Sequence, residues 1–271
     1  MVWEQNVSVI VALTAEVEHG QVKCHCYWKT GQYGPFQIKE LVQKKVPIGR
    51  PSPHSRSKSQ HHPADSPDFS KNPDLDTLSP NVSVDLEESP CILIRHFTIS
   101  HSAFPFQPLR EVTQLQFSYW PDFGTSQPTH ILRLIEQCNK LARANSSTHF
   151  GCHEPEPEGQ RPILVHCSAG CGRTGTFCTI DSVIDMLKRV SLTRSKSRSI
   201  DHEAKDVFPG DQPVPVWIED EHVDLVAKTV EDFRTQRPSM VQNLRQFVLC
   251  YESILEWVTS GPRRVLLSEE E

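Results

Sequence analysis

The sequence predicts a single α/β domain in which a twisted mixed sheet is flanked by helices. Apolar runs typical of buried strands alternate with helical stripes along the 271 residues. One such run ends at His166 and leads through a loop of small residues directly into an amphipathic helix. The stretches between these elements are rich in proline, serine and charge, a composition typical of insertions that cannot build a core.

Five segments have the apolar content and the length of strands. In the fourth, Leu115 and Phe117 alternate with Gln114 and Gln116, as expected of a strand with one buried face. The predicted strands are 7–14, 22–28, 91–99, 112–119 and 162–166.

Four helices are predicted from apolar residues that recur at intervals of three and four, and each apolar stripe is expected to face the core. The second stripe directly follows the loop of small residues. The stripes are Ile131, Leu134, Ile135, Cys138 and Leu141; Phe177, Ile180, Ile184 and Leu187; Val223, Val226, Val230 and Phe233; and Val241, Leu244, Val248, Tyr251 and Leu255.

Three segments break the pattern and are expected to be long, loop-like or disordered insertions. Residues 49–90 hold seven prolines and nine serines with one aromatic residue, too little apolar surface to order a chain. The segments at about 144–161 and 191–215 are similarly polar, and the acidic residues 154–158 are expected to form a solvated turn. We therefore expect one domain over 1–258 with three insertions, followed by a C-terminal tail over 259–271.

Composition argues against several classes of function. The net charge of −6 gives no electrostatic support to a nucleic-acid partner, and no apolar stretch is long enough to cross a membrane. Nine cysteines without a secretory leader indicate reduced thiols, and hence the cytoplasm or the nucleus. The cysteines show no Cys-x2-Cys pairing, and Cys24 and Cys26 are expected on opposite faces of a strand. Neither a metal nor another cofactor is predicted.

The most informative segment is 166–175, with the sequence His-Cys-Ser-Ala-Gly-Cys-Gly-Arg-Thr-Gly. A loop of small residues at a helix N-terminus turns backbone N–H groups inward and forms an anion site. The same field favours the thiolate of Cys167, and Arg173 can bind two oxygens of a tetrahedral anion at once. The segment predicts phosphoryl transfer to cysteine. A structural cysteine, and the oxyanion loops of sulfur transferases and arsenate reductases, are the alternatives.

The string 166–175 resembles the signature of the classical, tyrosine-specific protein tyrosine phosphatases. The triplet Trp-Pro-Asp that ends at Asp122 resembles the mobile acid loop of that family. The hairpin with Glu18 and Lys23, and the segment 236–242, resemble two further family elements. The likeness extends from Met1 to about Trp257, implies the cysteine-phosphatase fold, and is fungal-like in its long insertions.

The resemblance implies a role for each residue of the site. Cys167 would be the nucleophile, Asp122 the general acid and then the base, and Arg173 the ligand of the phosphate oxygens. Thr174 would stabilise the leaving thiolate, and Gln242 would orient the hydrolytic water. The remaining phosphate-binding residues would be Ser168, Ala169, Gly170, Cys171 and Gly172, through their backbone amides.

Four supporting residues are implied in the same way. His166 would orient the cysteine loop, Glu18 would hold Arg173 in place, and Lys23 would contact Asp122 or its loop. Gln246 would assist the water-positioning glutamine; N-terminal capping of its helix, or plain solvation, is the alternative for this residue.

The implied function is hydrolysis of phosphotyrosine in proteins through a phosphocysteine intermediate, as part of signal transduction. The implied partners are phosphotyrosine proteins, with a MAP kinase-type protein among the candidates. Relative to the family, the chain is truncated at its N-terminus and lacks the loop that excludes phosphoserine. The alternatives are a truncated or catalytically weak phosphotyrosine-binding chain and a dual-specificity phosphatase, a class that the Trp-Pro-Asp triplet and Gln242 fit poorly.

Overall fold

The computed structural model describes residues 1–48, 90–144, 154–157, 159–199, 218, 220 and 222–264. The strands are β1 Val9–Ala12, β2 Val17–Glu18, β3 Gln21–Val22, β4 Gly31–Tyr33, β5 Phe36–Pro47, β6 Cys91–His101, β7 Arg110–Gln116 and β8 Ile163–His166. The helices are α1 Pro128–Ala144, α2 Gly172–Ser199, α3 Leu225–Gln236 and α4 Leu244–Arg264. The insertion predicted at 49–90 lies, apart from its last residue, outside the described residues.

Six strands form one mixed sheet in the order β4-β5-β6-β7-β1-β8. Strand β1 is parallel to both of its neighbours, whereas β5, β6 and β7 form an antiparallel meander. Ala12 at the end of β1 is in register with Gln116 of β7 and His166 of β8. Because the three parallel strands end at the same edge, the loops that follow them meet there.

The main core fills the space between the sheet and the helices. Val9, Val11 and Leu13 are completely buried and belong to one apolar cluster with Phe177 of α2 and Leu249 of α4. A second, smaller cluster on Val7 and Ile10 covers the other face of the sheet with the help of Trp28, Ile38, Phe97, Ile99 and Val112. Both faces of β1 are therefore covered, as is usual for a central parallel strand.

The predicted α/β class, a mixed sheet with flanking helices, is confirmed. Four of the five predicted strands are present with shifted ends, but the strand predicted at 22–28 is wrong beyond Val22. Cys24 and Cys26 lie in irregular backbone, and both pack against the smaller cluster, so the expectation that they face opposite sides is also wrong. Strands β4 and β5 were not predicted, because their mixed and largely exposed residues carry no clear two-residue period.

The stripe predicted for the last helix is wrong in phase. Leu244, Val248 and Leu255 are exposed, by 75%, 43% and 63%, whereas Leu249 and Cys250 are buried. Gln246 and Ser253 are buried on the same side of α4 as this apolar pair, so the buried face includes polar residues that an apolar pattern does not mark. The first three stripes lie mainly toward the core, as predicted.

The ends of two predicted segments also differ from the structure. Helix α2 continues to Ser199, so the first part of the insertion predicted at 191–215 is helical. Helix α4 continues to Arg264, past the predicted domain end at 258. Within the turn predicted to be solvated, Glu156 is only partly exposed and pairs with Arg143 of α1, whose Nη2 lies 2.5 Å from its Oε1.

Asp181 lies on α2 where that helix packs against α1. It accepts a hydrogen bond of 3.0 Å from Asn139 Nδ2, and the carboxylates of Glu156 and Asp185 are its neighbours. Burial, reinforced by these two carboxylates, raises the pKa of Asp181 to about 6, although the bond from Asn139 acts against the shift. Compared with the unfolded chain, the folded chain therefore favours the protonated form of Asp181.

We predict that Asp181→Asn raises the melting temperature by a few degrees at pH 7.5. The pKa of Asp181 is higher in the folded chain than in the unfolded chain, so stability is lost as the pH rises from about 4 to about 6 and stays reduced above that window. The amide removes this loss and still accepts the bond from Asn139. Thermal unfolding at several pH values tests this, and the gain should vanish near pH 4. A gain that does not depend on pH would contradict the prediction.

Candidate active site

The cysteine loop, residues 167–171, joins the end of β8 to the start of α2. Gly170 has φ +70°, a backbone conformation that glycine adopts without strain. This turn brings the Gly170 amide back to the start of the loop, where its N–H donates to Cys167 Sγ at 3.2 Å. The first turn of α2 points its N-terminal end at the same sulfur, so amides and helix dipole act on one atom.

The environment of Cys167 favours the thiolate. Burial by itself would raise the pKa of this thiol, since only 7% of the residue is exposed. Interactions with the Thr174 hydroxyl and with the backbone amides of Thr174, Cys171 and Gly170 outweigh burial, and the pKa lies below its ordinary value. By contrast, burial raises the pKa of the Cys178 thiol, which lies one helical turn after Thr174 on α2, to about 12.

Arg173 is the most buried charge of the site, with 1% of its surface exposed. Its Nη1 donates to Glu18 Oε1 at 2.6 Å and to the Trp120 carbonyl at 2.9 Å, and its Nη2 lies 3.2 Å from Asp122 Oδ1. Thr14 in turn donates to Glu18 Oε1 at 2.7 Å, which fixes the carboxylate. The guanidinium is thus held in one orientation, with its second nitrogen toward the acid loop.

The acid loop that follows β7 is folded around Trp120. This side chain is completely buried, and its Nε1 donates to the Gly124 carbonyl at 3.1 Å. Asp122 projects from the turn so that Lys23 Nζ lies 2.9 Å from Oδ2 while Arg173 faces Oδ1. These two cations outweigh partial burial and hold the pKa of Asp122 below its ordinary value.

Gln242 and Gln246 lie over the start of α2. A β-carbon added at Gly172 would lie 3.2 Å from Gln242 Oε1 and 2.9 Å from the terminal atoms of Gln246, so any side chain there would displace the two amide groups. Gln246 is buried, and its Oε1 accepts the backbone N–H of Gln242 at 3.0 Å. It therefore stabilises the backbone before α4 and also lies beside the cysteine loop.

A second glycine sets the distance between α2 and this segment. A β-carbon at Gly175 would collide with the backbone nitrogen of Val241. The carbonyl of Cys171 accepts hydrogen bonds from Gly175 N at 2.8 Å and from Val241 N at 3.4 Å. The cysteine loop, the first turn of α2 and the backbone of Val241 are consequently in direct contact.

His166 belongs to a buried polar chain that the sequence analysis missed. Its Nε2 lies 2.7 Å from the Tyr27 hydroxyl, which accepts a hydrogen bond of 2.8 Å from Gln114 Nε2. Arg95 donates to both Gln114 and Gln116, at 2.8 and 2.7 Å. The two glutamines are buried, so the polar face predicted for this strand is not solvated.

Burial lowers the pKa of His166, which favours the neutral ring, and its Nδ1 lies 3.2 Å from the Cys167 carbonyl. These contacts are what the orienting role expected for His166 requires. A charged residue inside an apolar strand, Arg95, was the available signal for the chain of polar residues behind it.

Among the described residues, no three His, Cys, Asp or Glu side chains are grouped as the ligands of a metal would be. Within the part of the chain that the structure describes, no helix combines the length and the apolar content that crossing a membrane requires.

A profile of the family described as Protein-tyrosine phosphatase matches residues 1–50 and 70–200, which include the acid loop and the cysteine loop. The chain belongs to the protein-tyrosine phosphatase family. Tyrosine-protein phosphatase 3 of Saccharomyces cerevisiae is 29% identical over 92% of the chain. Human tyrosine-protein phosphatase non-receptor type 9 is 26% identical over 95% of it. The yeast relative is compatible with the fungal-like character expected from the insertions.

Solved structures of this family share the fold. The catalytic domain of human protein tyrosine phosphatase non-receptor type 18 is 25% identical over 94% of the chain, with a TM-score of 0.54. The complex of that phosphatase with HER2-pY1196 phosphopeptides has a TM-score of 0.55. The chain spans 27% and 31% of the yeast and human curated relatives, and 62% of the solved catalytic domain.

We predict that Glu18→Ala weakens both the fold and the anion site. Removing one partner of a buried ion pair leaves Arg173 undercompensated, so unfolding in urea should show a loss of about 3 kcal/mol. Vanadate, which takes the place of the phosphate, should bind at least ~10-fold more weakly because the guanidinium is no longer oriented. Glu111→Ala, which removes an exposed carboxylate of β7, is the matched control. Unchanged vanadate affinity in Glu18→Ala would refute the orienting role.

Proposed function

We propose that this chain forms a protein tyrosine phosphatase domain over 1–258 that hydrolyses phosphotyrosine in proteins through a phosphocysteine intermediate. The observation that carries the proposal is the convergence of a thiolate-stabilised Cys167, the buried Arg173 and the carboxyl group of Asp122 at one edge of the sheet. The three groups supply a nucleophile, a bidentate ligand for phosphate oxygens and a proton donor.

In the first step, the Cys167 thiolate attacks phosphorus and forms the S–P bond while the P–O bond to the tyrosyl oxygen breaks. Asp122 gives its proton to that oxygen, so tyrosine leaves as a neutral phenol. The amides of residues 168–172 and the guanidinium of Arg173 stabilise the charge on the equatorial oxygens. Positioning and charge stabilisation of this kind account for most of the rate in phosphoryl transfer.

In the second step, water held by Gln242 attacks the phosphocysteine and gives a proton to the Asp122 carboxylate. The S–P bond breaks, inorganic phosphate forms, and the thiolate departs with the help of the Thr174 hydroxyl. That hydroxyl is buried and has no other hydrogen-bond partner among the described residues, which supports this use. Gln246 supports the segment that carries Gln242, and His166 holds the start of the loop.

Asp122 has to be protonated when substrate is bound, although both of its oxygens face cations in the free chain. A phosphate dianion in the cysteine loop pairs with the Arg173 guanidinium, which then stabilises the Asp122 carboxylate less. The dianion also adds negative charge beside that carboxyl group. Both effects raise the pKa of Asp122 and favour the protonated acid. Lys23 then remains as the ligand that keeps the side chain above the phosphate.

For the natural substrates we propose phosphotyrosine proteins of signalling pathways, with a MAP kinase-type protein as one candidate, and we propose the cytoplasm or the nucleus as the compartment. The complex of a solved relative with phosphopeptides supports the substrate class. The eight cysteines among the described residues are all free thiols, which agrees with a reducing compartment.

We predict that Cys167→Ser abolishes hydrolysis of a phosphotyrosine peptide and retains vanadate-induced thermal stabilisation, because the amides and Arg173 still bind the oxyanion. Phosphate release and thermal unfolding measure the two properties. Cys91→Ser, which replaces a thiol at the start of β6, is the control and should behave as the unmodified chain does. Turnover in Cys167→Ser equal to that of the unmodified chain would exclude Cys167 as the nucleophile. Vanadate stabilisation without turnover in the unmodified chain would favour a binding chain, and hydrolysis of phosphoserine peptides would favour dual specificity.

We predict that Asp122→Ala slows hydrolysis of aryl phosphates with poor leaving groups by at least ~10²-fold, the usual contribution of a general acid. The effect should shrink for leaving groups that depart without protonation, since they do not need the acid. A series of phenyl phosphates with different leaving-group pKa values measures the dependence. Asp232→Ala, at an exposed carboxylate of α3, is the control. A loss independent of the leaving group would assign the proton to another residue.

A further inference from the structure

Arg237 lies just after α3, and its side chain reaches the outer side of the cysteine loop. Its Nη2 donates to the Ala169 carbonyl at 2.8 Å. The rest of the guanidinium lies alongside the next residue, because a β-carbon added at Gly170 would be 3.6 Å from Nη2 and 3.7 Å from Nε. The backbone of Arg237 is itself anchored, as its N–H donates to the Phe233 carbonyl at 2.9 Å. Arg237 is exposed, and this hydrogen bond places its charge on the outer side of the loop, away from the sulfur. Cys171 Sγ also lies 3.5 Å from the same Ala169 carbonyl, so the guanidinium is the charged one of two contacts.

The carbonyl that Arg237 contacts and the amide that contacts the nucleophile belong to the same peptide group. A trans peptide is planar, and its C=O and N–H point in opposite directions. In the peptide between Ala169 and Gly170, the oxygen faces Arg237 and the N–H faces Cys167 Sγ at 3.2 Å. A contact that keeps the Ala169 oxygen on the outer side of the loop therefore also keeps the Gly170 N–H directed at Cys167 Sγ.

The Ala169–Gly170 peptide plane can rotate, because it is followed by a flexible glycine, unless another group restrains it. Gly170 has φ +70°, but glycine also reaches many other conformations at little cost. Rotation of the peptide plane would turn the carbonyl oxygen toward the sulfur and place two electron-rich atoms together. A guanidinium bonded to the oxygen opposes that rotation, and its charge also polarises the peptide so that the N–H becomes a stronger donor.

We propose that Arg237 is a positioning residue that locks the Ala169–Gly170 peptide with its N–H toward Cys167 and thereby keeps the sulfur in its nucleophilic, ionised form. The inference deepens the proposed function and concerns the free site, before any substrate binds. Nothing in it requires Arg237 to touch the phosphate. Its effect should accordingly appear in the chemistry of the thiol in the absence of substrate.

The test is the rate of Cys167 alkylation by iodoacetamide as a function of pH. Iodoacetamide is uncharged, so removing a cation does not alter its attraction to the site. Mass spectrometry of the peptide that contains Cys167 separates this thiol from the other cysteines. Arg237→Gln should shift the midpoint of the pH dependence upward and slow alkylation at pH values below it by about 3- to 10-fold, the scale of the net contribution of one ordinary hydrogen bond. The plateau rate at high pH should not change, which shows that the loop remains folded and accessible.

Two further variants make the result specific. Arg237→Lys should restore much of the original midpoint, because an ammonium group also donates to the Ala169 carbonyl. Arg245→Gln removes an exposed arginine of α4 and should leave the midpoint unchanged. A midpoint in Arg237→Gln equal to that of the unmodified chain would overturn the inference, and a simultaneous rise in KM would then assign Arg237 to substrate binding.

The outcome is distinguishable from failure of the proposed function. If the unmodified chain does not hydrolyse phosphotyrosine but its thiol midpoint is low and rises in Arg237→Gln, the inference holds and the proposed function fails. If turnover is normal but the midpoint does not change in Arg237→Gln, the proposed function holds and the inference about Arg237 fails. Should Arg237→Gln lower the high-pH plateau as well, the loop has been disrupted, and an unrestored midpoint in Arg237→Lys would then count against the inference.

Discussion

Burial of the Arg173 guanidinium is the constraint on which the arrangement of the site depends. A cation with 1% of its surface exposed is stable only if carboxylates and carbonyls surround it. Glu18 comes from the β2–β3 hairpin, Asp122 from the loop after β7, and the Trp120 carbonyl from the start of that loop. The charge thus brings two segments that are distant in sequence, the hairpin and the acid loop, to the helix that carries it. An anion that enters the cysteine loop meets a guanidinium that is already oriented.

A second polar layer lies behind the cysteine loop and contacts the backbone of Cys167, not the phosphate-binding side of the loop. Arg95, Gln114, Tyr27 and His166 form a continuous chain of hydrogen bonds from the centre of the sheet to the carbonyl of Cys167. Each member is at least half-buried, so each satisfies a polar group of its neighbour that water cannot reach. The loop is therefore supported from the sheet side by this chain and from the solvent side by contacts from the end of α3.

The grouping of Cys167, Arg173, Asp122 and Glu18 could be predicted only through the family resemblance. Arg173 lies 155 positions from Glu18 and 51 from Asp122, so spacing along the chain does not bring them together. The polar chain behind the loop could not be predicted, since Gln114 follows the same alternation whether water or Arg95 covers it. The phase of the last helix was missed for a related reason. Its apolar residues suggest one face, but the face that is buried includes Gln246 and Ser253, which an apolar pattern does not mark. Long, exposed strands such as β5 likewise lack a periodic signal, because pairing with β6 and not burial keeps them in place.

The absence of a side chain at Gly175 has a kinetic consequence. The helix behind the nucleophile and the backbone next to Gln242 touch without any deformable atom between them. A shift of one must displace the other, so the groups proposed for forming the phosphocysteine and those proposed for its hydrolysis share one rigid frame of reference. The acid loop is tied to the same segment, since Asn243 Nδ2 donates to the Phe123 carbonyl at 3.2 Å. A displacement of α2 should therefore alter formation and breakdown of the intermediate together.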